Sequence, residues 1–79
     1  MINNKNISDI SELEFAIFCI ESVAKKLNAN AEDVYSAFTD KSSILYGYIV
    51  PEYEMLHTQS KEYIVNDILE YMNELGVSV

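Results

Sequence analysis

Seventy-nine residues, 49% of them hydrophobic and including six tyrosines and three phenylalanines, allow one core and exclude a disordered acidic tail. Thirteen acids against five lysines and no arginine give a formal net charge of −8, which sets the chain against nucleic acid and favours a less acidic or basic protein as partner. One cysteine, Cys19, and one histidine, His57, exclude an internal disulfide and a closed four-ligand zinc site, so cohesion must come from helix packing, self-association or a partner.

The opening stretch, MINNKNISDI, is polar and lacks the apolar run of a signal peptide. No later run approaches the length of a membrane span, so the expected location is the cytoplasm, with no membrane partner. Residues 1–8 read as a flexible arm and residues 9–79 as a single domain. The first helix is expected to start at Ser8 or Asp9, both good N-caps, with Glu12 and Glu14 favouring its positive end. Ile10, Leu13, Ile17, Ile20, Ala24 and Leu27 step by three and four, which makes one continuous helical stripe. Phe15, Phe18 and Cys19 widen it. Lys25 and Lys26 suit the last turn, and Asn28-Ala29-Asn30 ends the helix.

Asn30 reads as the cap of a short second helix over 31–38, with Val34, Ala37 and Phe38 on its inner side. Ser42 or Ser43 is expected to cap a third helix carrying Ile44, Leu45, Tyr48 and Ile49. That segment is rich in β-formers and holds Gly47, so a strand is the alternative there. Pro51 either breaks the segment or opens a new turn over 52–56. His57-Thr58-Gln59-Ser60 is a connection, with Thr58 or Ser60 capping a last helix over 61–75. Ile64, Ile68, Tyr71 and Leu75 form its stripe, and Gly76 closes it in the left-handed conformation. With two glycines and one proline, the chain reads as all-α, a compact bundle of three to four short helices.

Two groups stand out as functional candidates. On helix one, Phe15, Phe18 and Ser22 are a candidate interface, because a small core has difficulty covering so wide an apolar helix. At the last connection, Tyr53, His57, Thr58, Gln59 and Tyr63 are a candidate recognition spot, since imidazole, hydroxyl and amide all make hydrogen bonds. The plainer reading of that spot is a network that fixes the loop, with the His57 ring satisfied by backbone. Cys19 beside His57 would suit a thiol nucleophile only if a cation lowered the thiol pKa, and a mid-helix position in an acidic chain does the opposite. Carboxylate pairs such as Glu14 with Glu21, or Glu52 with Glu54, read as solvated faces, because paired-carboxylate chemistry needs a concave site. No catalytic residue, metal ligand or cofactor is assigned.

Glu14-Phe15-Ala16-Ile17-Phe18-Cys19-Ile20-Glu21, Leu56-His57-Thr58-Gln59 and Glu62-Tyr63-Ile64-Val65-Asn66-Asp67-Ile68 together resemble a small bacterial family, domain of unknown function thirty-seven ninety-one. The resemblance runs from about Leu13 to Met72. It implies no activity. It does imply a gene neighbourhood shared with proteins resembling ADP-ribosyltransferases, as in toxin–antitoxin pairs. The leading expectation is therefore a protein-binding module, antitoxin-like or accessory to such a neighbour, and not an enzyme. The rivals are a small-molecule or catalytic domain centred on His57, with Tyr53, Thr58 and Glu54, and a self-assembling structural domain such as a homodimer.

Overall fold

The computed structural model describes residues 10–79, so the arm over 1–8 and the caps at Ser8 and Asp9 lie outside the described residues. The elements are α1 (Ile10–Leu27), α2 (Ala31–Thr39), a π-helical turn (Leu45–Ile49), α3 (Tyr53–Leu56) and α4 (Lys61–Leu75). No strand occurs among the described residues, and the fold is an all-α bundle. The β-rich segment after Ser43 is thus helical, in a widened form. Val50 N–H donates to the Leu45 carbonyl five residues back, at 3.0 Å. Its side chains pack as a helix because Ile44, Leu45 and Ile49 all reach the core.

The helix ends follow local chemistry. α1 stops at Asn28, whose φ of 55° is left-handed. Asn28 N–H donates to the Lys25 carbonyl and Ala29 N–H to the Ala24 carbonyl, the paired closure of a Schellman end. α4 ends the same way at Gly76, φ 72°, with Gly76 N–H on Asn73 and Val77 N–H on Met72. Val77 then folds back against the core. Ser60 caps α4, its Oγ accepting from Tyr63 N–H at 3.1 Å. Asn30 holds the cap position of α2 without a side-chain cap bond. Ser42 ties the next connection: its Oγ donates to the Ala37 carbonyl at 2.8 Å and accepts from Ile44 N–H at 3.2 Å.

α1 is the central helix, packed against both α2 and α4, while the π-turn rests on α2. Phe38, Ile44, Leu45, Ile49, Ile68, Val23, Val34 and Cys19 are fully buried. The face that α1 buries is not the stripe that the spacing favours. Phe15, Ala16, Cys19, Ser22 and Val23 turn inward, joined by Ile20 and Ala24. Ile10, Leu13, Ile17 and Leu27 stay exposed. Two physical causes account for the choice. Ala16, Cys19 and Val23 are small, so neighbouring backbones approach closely on that side. The rejected stripe is flanked by Glu14 and Glu21, whose carboxylates would have to follow it out of water.

Candidate functional site

The corner that carries His57 is built by α3 and the connection after it. His57 closes α3, its backbone N–H on the Tyr53 carbonyl at 2.9 Å. The ring bonds the same carbonyl, Nδ1 to O at 2.8 Å. A carbonyl only accepts, so Nδ1 carries the proton and Nε2 is left as the acceptor of the neutral ring. The imidazole also stacks on Tyr53, with ring centres 4.5 Å apart and planes 13° apart. Thr58 Oγ1 donates to the Met55 carbonyl at 2.9 Å, and Gln59 N–H bonds the Leu56 carbonyl. Thr58, Gln59 and Tyr63 are exposed, and Tyr53 is half-buried. Among the described residues no hydrogen bond joins His57 to Thr58, Gln59, Tyr63 or Glu54. The five residues share a corner without converging on a common point.

An aromatic ladder ties that corner to α1. Phe15 meets Tyr53 edge-to-face at 5.4 Å and stacks with Phe18 at 6.2 Å. The two groups that the sequence offers separately, one on helix one and one near His57, are therefore one continuous row: Phe18, Phe15, Tyr53, His57. Of the candidate interface residues, Phe18 alone is open to solvent, while Phe15 and Ser22 are buried. Cys19 is fully buried, and burial pushes its thiol from 9.0 up to about 12. It is protonated and enclosed at neutral pH, which removes it as a nucleophile.

The opposite side of α1 holds what the stripe reading conceals. Ile10, Leu13 and Ile17 lie one turn apart along one edge, and Ile10 and Ile17 are 65% and 45% exposed. Beside them a shallow groove of about 450 Å³ runs between α1 and α2, lined by Ile17, Ile20, Glu21, Ala31, Glu32 and Tyr35. Tyr35, 49% exposed, stands at its edge. The result is an apolar strip with carboxylates at its margin. The three-and-four spacing marks these residues as an apolar face. Which of two apolar faces turns inward depends on α2 and α4, and that is why the open one is missed.

Tyr48 shows a different kind of polar contact. Its hydroxyl donates to the Asp67 carboxylate of α4, and its ring lies 4.6 Å from that of Tyr71. Burial first, then the Asp67 bond and charge, push the Tyr48 hydroxyl well above its ordinary value. This pair clamps the π-turn to α4.

Among the described residues no helix is long and apolar enough to cross a membrane. A family model described as "Protein of unknown function (DUF3791)" matches residues 14–74. No curated protein and no solved structure matches the chain.

Proposed function

The chain belongs to the DUF3791 family of unknown function, and from the surface of α1 and α2 we propose that it is a protein-binding module. The observation that carries this reading is the open strip of Ile10, Leu13 and Ile17 beside the groove edged by Tyr35. A 79-residue domain gains by covering such a strip, because burying the roughly half of each side chain that Ile10, Leu13 and Ile17 still expose contributes about 1 kcal/mol apiece. Glu21 and Glu32 line the groove, and Glu14 follows Leu13 on the exposed side of α1, in a chain of net charge −8. The fitting occupant is an apolar segment flanked by lysine or arginine, presented by a less acidic or basic protein. The family resemblance nominates the ADP-ribosyltransferase-like neighbour as the first such protein, with this chain in an antitoxin-like or accessory role.

Co-expression of the tagged chain with that neighbour tests the reading. The expected result is a complex that survives purification with the wild type and is lost with Leu13→Glu/Ile17→Glu, while the isolated variant keeps its helical content and still unfolds cooperatively. No complex at micromolar concentration would reject the nominated partner. A homodimer formed through the same strip, seen by sedimentation, would replace the heterologous reading with self-assembly. The His57-centred reading has less support, since among the described residues Thr58, Gln59, Tyr63 and Glu54 make no hydrogen bond to its ring.

A further inference from the structure

The chain has five lysines, and three of them, Lys25, Lys26 and Lys61, line one groove. It lies between the C-terminal half of α1 and the N-terminal half of α4, holds about 450 Å³, and is completed by Ser22, Glu62, Val65 and Asn66. It shares no lining residue with the α1–α2 strip. We propose that this groove binds a small organic phosphate monoester.

Charge is the first argument. Thirteen acids are available in the chain, yet among the described residues none of the three lysines forms an ion pair. Like charges gathered without partners repel, and an anion between them relieves the repulsion. The residues around the groove, Lys25, Lys26 and Lys61 with Glu62, carry a formal charge of +2. A phosphate monoester carries about −1.5 to −2 at neutral pH, which matches.

The second argument is Ser22. It is the one buried polar residue among the described residues, 5% exposed, and its hydroxyl makes no hydrogen bond among them. Among the described residues no fully enclosed side-chain oxygen or nitrogen lacks a partner, so the Ser22 oxygen keeps an opening, and Ser22 is one of the residues that line the groove. A buried hydroxyl without a protein partner is a free donor to a phosphate oxygen.

The third is the start of α4, a 15-residue helix. Ser60 Oγ takes the Tyr63 N–H and the Ser60 carbonyl takes the Ile64 N–H, while Lys61 and Glu62 sit where helix N–H groups have no carbonyl to meet. That positive end adds to the lysines. Val65 and the lysine stems give the groove an apolar lining for the organic part of the ligand. The acidic remainder of the surface selects a small ligand over a phosphopeptide or nucleic acid, whose further charges would meet carboxylates.

The test is an NMR titration of the ¹⁵N-labelled full chain with phenyl phosphate at constant ionic strength, with phenol, benzoate and inorganic phosphate as parallel probes. Saturable shifts at Ser22, Lys25, Lys26, Lys61, Val65 and Asn66 are expected with phenyl phosphate, weaker ones with inorganic phosphate, and none with phenol. Lys61→Gln should weaken binding about two- to fivefold, the range of one exposed charge contact. Lys25→Gln/Lys26→Gln/Lys61→Gln should abolish saturation at an unchanged melting temperature, because these side chains lie at the surface. Ser22→Ala should weaken both phenyl phosphate and inorganic phosphate. Unsaturable shifts spread over the surface would overturn the proposal. So would equal affinity for benzoate, or binding that survives the triple substitution.

Discussion

At the scale of single residues, Cys19 and Tyr48 show how enclosure fixes protonation. Cys19 has its thiol raised from 9.0 to about 12 by burial. A native pKa above the unfolded one means that stability is whole below pH 9 and falls as pH rises toward 12. The slope is about 1.4 kcal/mol per pH unit once the unfolded thiol ionises. Urea unfolding should therefore show the wild type losing about 1.4 kcal/mol more than Cys19→Ala between roughly pH 8 and 10. Native thiol labelling at neutral pH should be slow and should accelerate on unfolding. Fast native labelling would contradict the burial. Tyr48 follows the same sign, since its hydroxyl is also held above its ordinary value. Tyr48→Phe removes the donor to Asp67 and should cost about 1 kcal/mol in chemical denaturation. His57 is milder than its place in the sequence suggests. It is exposed, so His57→Ala removes one ring bond and one stacking contact and should cost about 1–2 kcal/mol.

At the scale of elements, the ends of the helices are legible in the sequence and their buried faces less so. Asn28 and Gly76 stop α1 and α4 by left-handed geometry that few other residues adopt cheaply, so their signal is local. The choice between Thr58 and Ser60 as the cap of α4 resolves to Ser60, because the Thr58 hydroxyl is turned back to Met55. Ser60→Ala should then cost about 1 kcal/mol in thermal unfolding, and Thr58→Ala clearly less. Equal losses would contradict the assignment. The π-turn was not legible beyond its being helical. Whether five residues take one bond register or another depends on how Ile44, Leu45 and Ile49 fit the core, which is a tertiary matter. The same holds for α1. Its two apolar faces are equally visible in the spacing, and the small side chains of Ala16, Cys19 and Val23 decide which one packs. The aromatic row from Phe18 to His57 joins α1 to α3 across about forty residues of sequence, and no local pattern announces it.

At the scale of the whole molecule, charge and apolar surface are sorted into separate places. The open apolar strip lies between α1 and α2 with carboxylates around it, and three lysines gather between α1 and α4. Net charge is legible in composition, whereas this segregation requires Lys61 to meet Lys25 and Lys26 across the bundle. Membership of DUF3791 joins the chain to a family without adding chemistry. The most direct test of the proposed docking strip is the calorimetric affinity of the proposed ADP-ribosyltransferase-like partner for the wild type and for Ile17→Glu, with both melting temperatures recorded. A buried interface anchor carries about 2 kcal/mol or more, so Ile17→Glu should weaken the complex about 30-fold or more while the free variant stays folded at the temperature of measurement. An Ile17→Glu chain that binds as tightly as the wild type would contradict the docking strip on α1 and α2.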